Sequence, residues 1–379
     1  MPDYSLPARR PTIVDVARAA GVSTAVVSYT LNGRRGVSAA TRERVLRAAD
    51  ELGWRPASAA RSLRSGPAAA ALVVVHDQPF GTRAAFPLDL VTGALQTIGP
   101  DTLTLAVHVA GSPADAARLM DRWWTERRYG AFVVTGVRVD DARLAALRSL
   151  PAPAVVVGTA PDGGPATWQH VVLDDGAAFA QVGAFLAELG HRRVAMVAGS
   201  ERLVAPVRRA AALGSALAGR GIELRTVAGD GPERAAAALL PLLAAADRPT
   251  AVVTDDDATA GLVLDVARRL GLGVPWDLSV VAGTDSPACY LTAPSLTAVP
   301  YPVEELGRAT GRALRTALGA GPTAGAGTPS GAGPTSGAGT PSGRVPPPGE
   351  APSVGAEPPR TVPVGRLVVR GSTAPPPGD

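Results

Sequence analysis

The stretch "TIVDVARAAGVSTAVVSYTLNG", residues 12–33, contains two short helical patterns separated by a glycine. Thr12 precedes an apolar-periodic run and Asp15 follows three residues later, an arrangement typical of a capping box at the start of a helix. The run stops at Gly21, a residue type that readily adopts the left-handed conformation at a helix end. The pattern therefore predicts a first helix over Ile13–Ala20.

A second helix is predicted over Thr24–Leu31, because Ser23 can cap its start and the Asn-Gly pair at residues 32–33 can end it. At about 100° per residue, one face of this helix carries Thr24, Ala25, Ser28 and Tyr29, and the other carries Val26, Val27, Thr30 and Leu31. Eight residues rise about 12 Å, close to the width of the major groove of DNA. The pattern predicts a helix-turn-helix with one free face, and an ordinary helical hairpin remains the alternative.

The segments that follow extend this module. A third helix is predicted over residues 38–52, capped by Ser38 and packed through an apolar stripe of Val45, Leu46, Ala49 and Leu52. Gly53 and Pro56 break the helical pattern. The basic segment "ASAARSLR", residues 57–64, is shorter than the roughly 12 residues that an isolated helix needs in water. We therefore expect it to fold only against a partner.

The net charge of +4 is distributed unevenly along the 379 residues. The first 66 residues contain eleven arginines and five acidic side chains, so this part is basic and the remainder is slightly acidic. A small basic module ahead of a large acidic body indicates a head that binds a polyanion, with a solvated charged face as the alternative.

The composition excludes several classes of protein. No apolar run reaches the roughly 18 residues of a membrane span, and the first ten residues lack the apolar core of a signal peptide. The single cysteine, Cys289, cannot form an internal disulfide, so we expect a cytoplasmic protein. The sequence contains no phosphate loop, metal-ligand spacing or serine elbow, so we expect neither an enzyme nor a bound metal or cofactor.

The body of the chain predicts an α/β fold of parallel, doubly wound sheets. Short apolar runs alternate with helix-length segments, as in strands that are buried on both faces. The runs are "AAALVVVHD", "TLTLAVHVA", "YGAFVVTG", "APAVVVG", "RRVAMVAGS", "TAVVTDDD" and "LSVVAGTDS". Such sheets bind ligands at the carboxyl ends of their strands, where Asp77, the acids at 255–257 and Asp285 follow three of these runs.

The combination "TIVDVARAAGVSTAVVSYTLNG", "VSAATRERVLRAADELGWRP" and "ARSLRSG" resembles the DNA-binding head of the LacI-type transcriptional regulators. The resemblance implies a head at residues 1–56 and a hinge helix at residues 57–67. It implies that base edges are contacted by Thr24, Ala25 and Tyr29, and phosphates by Ser23, Ser28 and Asn32. It also implies that the minor groove receives Ala60, Arg61 and Leu63, with the leucine inserted between base pairs. Tyr29 stands where many family members have an arginine.

The body resembles the effector-binding domain of the same family through "AELGHRRVAMVAG", "PTAVVTDDDATAG", "VPWDLSVVAGTDS" and "RLVVRGST". This domain is similar to periplasmic sugar-binding proteins, and the resemblance implies two lobes with three crossovers over residues 68–374. The implied effector contacts are Asp77, Phe80, Arg209, Asp256 and Asp285. Two positions depart from the family pattern, since Ala212-Leu213 replaces Gly-Phe and Thr284 occupies the place of the usual ligand aspartate. An arginine fork and nearby acids suit a sugar-like effector.

One segment has no counterpart in the family. "AGPTAGAGTPSG" is followed at once by "AGPTSGAGTPSG", and Pro-rich sequence continues beyond it. Such sequence cannot form a core, so residues 319–360 are predicted to be a disordered insertion between the last helix and a last strand, "RLVVRGST". Residues 375–379 form a short tail. We expect a homodimer, because two heads on a palindromic operator combine two weak half-site contacts.

Two functions from different classes remain open on the sequence. The first is a transcription regulator, a repressor by our interpretation, whose affinity for operator DNA changes when a sugar-like effector binds between the lobes. The second is a soluble sugar-binding or sensing protein whose head no longer recognises an operator.

Overall fold

The computed structural model describes residues 11–31, 36–54, 69–75, 86–99, 102–159, 164–165, 167–229, 231–319 and 359–378. The chain divides into two compact units, Met1–Ala68 and Ala69–Asp379. Among the described residues, no helix has the length and apolar character needed to cross a membrane.

Within its described residues, the first unit contains three helices, α1 (Ile13–Ala20), α2 (Thr24–Leu31) and α3 (Ala39–Glu51). The predicted capping box is confirmed, since the Asp15 carboxylate accepts hydrogen bonds from both the backbone N–H and the hydroxyl of Thr12. Gly21 ends α1 with a φ of 62°, in the left-handed region. Ser38 caps α3 by accepting from the Thr41 N–H at 3.2 Å. The helix-turn-helix prediction is therefore confirmed.

A small apolar core holds these helices together, and it corrects the predicted stripe of α3. Val45, Ala48 and Ala49 are buried on α3, whereas Leu46 and Leu52 are exposed. Leu46 lies about 160° around the helix from Ala48, so it faces away from the side that Val45, Ala48 and Ala49 bury. The remaining core residues are Val16, Ala17, Ala20 and Val27.

The second unit has two lobes, each built on a parallel sheet. The sheet of lobe 1 has strands in the order β11-β5-β4-β3-β1-β2. These strands are β1 (Ala69–Val75), β2 (Thr104–Ala110), β3 (Ala131–Val134), β4 (Ala154–Val157), β5 (Trp168–Leu173) and β11 (Arg360–Val362). Its helices are α4 (Phe86–Ile98), α5 (Pro113–Thr125), α6 (Ala142–Ser149) and α12 (Val303–Ala317). Helices α5 and α6 supply the core on one face of this sheet, and α4 and α12 supply it on the other.

The sheet of lobe 2 has strands in the order β10-β9-β8-β6-β7. These strands are β6 (Arg193–Ala198), β7 (Glu223–Ala228), β8 (Ala251–Thr254), β9 (Ser279–Ala282) and β10 (Thr297–Ala298). Its helices are α7 (Asp175–Glu188), α8 (Val204–Ala218), α9 (Pro232–Ala244), α10 (Asp257–Arg269) and α11 (Pro287–Leu291). The chain passes between the lobes three times, after β5, after β10 and after β11. The predicted α/β class with doubly wound parallel sheets is confirmed.

The seven apolar runs all form strands, but the predicted last strand is wrong. Residues 366–373 form no ladder, and Val368 makes only an isolated antiparallel bridge with Ala298. The polar groups of this segment bond largely to side chains, as where the Thr297 N–H donates to Ser372 Oγ at 2.8 Å. Arg360, predicted to be part of the insertion, instead begins β11.

Helices α4 and α12 pack with their backbones in close contact. A Cβ atom placed on Gly93 would lie 2.0 Å from the Glu304 carbonyl oxygen, and one placed on Gly307 would lie 2.3 Å from the Leu90 carbonyl oxygen. Glycine is therefore required at this crossing for steric reasons, although the local backbone has an ordinary helical conformation.

Candidate nucleic-acid interface and effector site

Helix α2 has one buried face and one exposed face. Val27 and Thr30 are buried in the head, whereas Thr24, Ala25 and Tyr29 are exposed. Ser28 is half-buried, and Ser23 at the corner is exposed, with its Oγ accepting from the Val26 N–H at 3.3 Å. The residues predicted to contact bases thus lie together on the solvent side of α2.

Two arginines of α3 have structural roles that the charge pattern did not reveal. Arg42 Nη1 donates to the carbonyl oxygen of Thr30 at 2.9 Å, near the end of α2. Arg44 Nε donates to the carbonyl oxygen of Ala20 at 3.0 Å, at the end of α1. Cations are favoured at helix C-termini, where carbonyl groups lack intrahelical partners. Part of the positive charge of the head therefore stabilises its own fold.

Several predicted contacts lie outside the described residues. These are the phosphate contact at Asn32, the hinge contacts at Ala60, Arg61 and Leu63, and the cleft contacts at Asp77 and Phe80. They remain predictions from the sequence.

Arg209 on α8 is the centre of a buried ion-pair cluster. Its Nε donates to Asp175 Oδ2 at 3.0 Å and its Nη1 to Asp255 Oδ1 at 2.8 Å. The side chains of the three residues are 5–9% exposed. The guanidinium also stands 5.0 Å from the centre of the Tyr301 ring, within cation–π range. The third guanidinium nitrogen, Nη2, makes no hydrogen bond within the described part of the chain.

Three elements of lobe 2 bring this cluster together. Asp175 begins α7, and Asp255 follows directly after the buried strand β8, at the carboxyl edge of the sheet. Gly199 follows the neighbouring strand β6, and a Cβ atom there would lie 2.5 Å from Asp255 Oδ2. The Asp255 carboxylate can thus approach Arg209 only because position 199 carries no side chain.

The electrostatics of the cluster keep Arg209 charged. Burial alone would lower the pKa of the guanidinium, but Asp255, Tyr301 and Asp175 together raise the pKa above its ordinary value. Two carboxylates surround one guanidinium, so the cluster carries an excess of negative charge. An anionic ligand is disfavoured next to such a cluster, and a neutral ligand with hydroxyl donors is compatible with it.

Two of the predicted effector acids have other partners. The Asp256 carboxylate caps α10 by accepting from the Thr259 N–H at 2.7 Å. The acid next to Arg209 is its neighbour Asp255, which the sequence run "TDDD" could not distinguish. Asp285 pairs with Arg370 at 2.7 Å, in the C-terminal segment, and its Oδ1 is buried without a hydrogen-bond partner among the described residues.

Lobe 1 contains a buried arginine that sequence reasoning missed. Arg143 is fully buried and ion-pairs with Asp141 at 2.7 Å. Its five N–H donors are all used, two by Asp141 and three by the carbonyl oxygens of Val73, Thr135 and Gly136. Burial would raise the pKa of Asp141, but hydrogen bonds and charge from Arg143 lower it overall. Arg143 is therefore a structural residue that has no donor left for a ligand.

Comparisons with known proteins agree with this architecture. The family model for bacterial regulatory proteins of the lacI family matches residues 12–57, and that for a periplasmic binding protein-like domain matches residues 184–331. The HTH-type transcriptional regulator MalR of Streptomyces coelicolor is 32% identical over 327 residues, covering 82% of this chain and 91% of the relative.

Two solved structures extend the comparison. The transcriptional regulator CelR in complex with cellobiose has a TM-score of 0.63 at 27% identity, over 96% of this chain and 100% of that one. The lac repressor dimer bound to operator and the anti-inducer ONPF shares the fold, with a TM-score of 0.74 at 20% identity over 97% of this chain and 100% of that one. The match to the regulator from Streptomyces covers nearly all of that relative, so this chain belongs to the LacI family of bacterial DNA-binding transcriptional regulators.

Proposed function

We propose that this chain represses transcription as a homodimer that binds a palindromic operator, and that a neutral sugar-like ligand changes its operator affinity. The observation that carries the proposal is the exposed face of α2, on which Thr24, Ala25 and Tyr29 lie beside one another. A helix of this length fits the major groove, and its outward side chains can contact base edges. We assign phosphate contacts to Ser23 and Ser28 at the edges of that face.

The effector is assigned to the cluster around Arg209. Nη2 of Arg209 can donate to a ligand hydroxyl, and the carboxylates of Asp175 and Asp255 can accept from hydroxyls. The excess negative charge favours a neutral polyol over a phosphate or carboxylate. The cellobiose complex of the related regulator supports a sugar as the first ligand to test. We propose a role in binding rather than in catalysis for this cluster.

Self-association is supported by exposed apolar side chains on both lobes. Strand β2 lies at the edge of its sheet and carries Val107 and Val109, which are 46% and 65% exposed. An exposed edge strand with apolar side chains favours pairing with another surface. Leu88 on α4 and Leu291 on α11 are also exposed. A second copy of this chain is the partner that we propose for these surfaces.

The experiment that tests the DNA assignment is selection of binding sites from a random DNA pool, with the unmodified chain and with Tyr29→Arg. We expect a palindromic consensus for the unmodified chain. We expect an altered half-site for Tyr29→Arg, because arginine can form a bidentate contact with guanine that tyrosine cannot. Recovery of the same consensus with both proteins would remove Tyr29 from the reading face.

The effector assignment is tested by thermal unfolding in the presence of cellobiose and related neutral sugars. A bound sugar raises the melting temperature of the unmodified chain, and Arg209→Lys abolishes that rise, since an ammonium keeps the charge but loses the planar fork. Arg225→Lys, at an exposed ion pair, is the matched control and should respond like the unmodified chain. Stabilisation by sugar without any selected DNA consensus would instead favour a sugar-sensing protein with an inactive head.

A further inference from the structure

The two lobes are joined by main-chain hydrogen bonds as well as by the three crossovers. The Val139 N–H donates to the Arg202 carbonyl oxygen at 3.0 Å, and the Val204 N–H donates to the Val137 carbonyl oxygen at 3.0 Å. Between these bonds, Arg138 of lobe 1 and Leu203 of lobe 2 form an antiparallel bridge. Residues 137–139 follow β3, and residues 202–204 lead into α8.

Side chains reinforce this pairing. Arg208 Nη1 on α8 donates to Thr159 Oγ1, just after β4 of lobe 1, at 2.6 Å. The Val204 side chain belongs to lobe 2 by sequence but packs against the apolar core of lobe 1, which includes Val137. The first turn of α8 therefore contacts lobe 1 through its backbone, an apolar side chain and a charged side chain.

The position of this pairing in the two sheets allows it to restrain rotation of one lobe against the other. The crossovers leave from β5, β10 and β11, which lie at or next to one edge of each sheet. Strand β3 is separated from β5 by one strand, and β6 is separated from β10 by two. The pairing thus joins the carboxyl ends of inner strands, away from the crossovers about which the lobes would rotate.

We propose that residues 137–139, residues 202–204 and the Arg208–Thr159 pair form an interlobe clasp that keeps the cleft closed without any ligand. The lobes separate only when the clasp breaks. Arg209 follows the clasp on the same helix, so α8 connects the clasp directly to the buried ion-pair cluster. The proposal does not depend on the identity of the effector.

A disulfide provides the first test. The two hydrogen bonds flank Arg138 and Leu203, which makes them a non-hydrogen-bonded antiparallel pair with a Cα separation of about 4.5 Å, within the range of disulfides. The full-length Arg138→Cys/Leu203→Cys variant should form this disulfide on mild oxidation without ligand. Arg138→Cys/Arg202→Cys is the matched control and should stay reduced, because adjacent residues of a strand point to opposite faces. Peptide mass spectrometry separates the new crosslink from products of Cys289. A folded Arg138→Cys/Leu203→Cys variant that does not crosslink would overturn the proposal.

Hydrogen exchange provides a second test that needs no cysteine. The amide of Val139 should be protected in the unmodified, ligand-free chain. Val204→Pro removes the other donor of the clasp at the first position of α8, where proline is tolerated, and Leu203 before it is already extended with a ψ of 136°. Exchange at Val139 should become roughly two- to tenfold faster, the range expected for loss of one hydrogen bond.

Ala39→Pro is the control, since it places proline at the first position of α3 in the head and should leave Val139 unchanged. An unprotected Val139 amide in the unmodified chain would show that the clasp is open in solution. A Val139 amide whose exchange rate is the same with and without Val204→Pro would show that the two hydrogen bonds do not act together. Either result contradicts the proposal.

Discussion

Replacing Arg209 with alanine removes the guanidinium that contacts two buried carboxylates. The Asp175 and Asp255 side chains are only 9% and 5% exposed, so water cannot replace the lost cation without opening the structure. Breaking a buried ion pair by removing one partner typically costs about 3–5 kcal/mol. We expect Arg209→Ala to lower the unfolding free energy of the second unit by about this amount.

Arg225 provides a control with similar geometry and different burial. Its Nε lies 2.7 Å from Glu223 and its Nη2 lies 2.6 Å from Asp247, but the two acids are largely exposed. Solvent screens exposed ion pairs, so Arg225→Ala should leave stability nearly unchanged. Urea denaturation followed by circular dichroism measures both variants, and the midpoints are comparable if the slopes agree.

The comparison has an outcome that refutes the reasoning. If Arg209→Ala and Arg225→Ala lower the midpoint equally, burial is not what makes the Arg209 cluster strong. A third variant checks the mechanism, because Arg209→Met combined with Asp175→Asn and Asp255→Asn removes all three charges. It should recover part of the loss, since unpaired amides cost less to bury than unpaired carboxylates.

Three further predictions concern stability. Gly93→Ala should destabilise the folded chain by about 3 kcal/mol or more, because its Cβ would overlap the Glu304 carbonyl. Gly261→Ala, in open space on α10, should instead stabilise the chain by about 0.5–1 kcal/mol, and thermal unfolding measures both variants. Burial lowers the pKa of His191 below 6.5 despite an opposing hydrogen bond to Ala374. As the pH falls, the unfolded chain therefore binds a proton at this imidazole at a higher pH than the folded chain does. Stability should therefore fall as the pH drops below about 6.5, and less so in His191→Gln; melting temperatures at pH 7.5 and 5.5 test this. Deleting residues 320–343 should leave DNA binding intact and the melting temperature nearly unchanged, because Arg360 Nη2 already lies 3.4 Å from Thr316 Oγ1 across the insertion. Loss of folding on deletion would show that the segment packs against the rest of the chain.

The helices of the head could be predicted nearly to their end residues because those ends are encoded locally. Thr12, Asp15 and Ser38 each bond within three residues along the chain, so no tertiary information is needed to place α1 and α3. Strands β5 and β7 were not predicted. Strand β7 lies at the edge of its sheet and lacks the continuous apolar run that marks a strand buried on both faces.

The partners of the buried charged residues could not be predicted, for a different reason. Asp255 and Asp256 are neighbours in one acidic run, and only the approach of Arg209 on a distant helix decides which of them enters the cluster. Arg143 likewise bonds to carbonyl groups of β1 and of the loop after β3, which the sequence does not place side by side. Partners that are far apart in the chain leave no periodic signal.

The passage of the chain between the lobes has a consequence for synthesis on the ribosome. Helix α12 covers a face of the first sheet, and residues 368–374 complete the second, where the Val280 N–H donates to the Ser372 carbonyl oxygen. The first sheet lacks β11 until residue 362 has emerged, and the second lacks its closing segment until residue 374 has emerged. Residues 320–358 postpone both moments by roughly 2–8 s at about 5–20 residues per second. In the head, in contrast, the three helices of the described residues have all emerged once residue 51 has been added. A nascent chain therefore carries a folded head while both sheets still expose apolar surface, an interval in which chaperones would bind it.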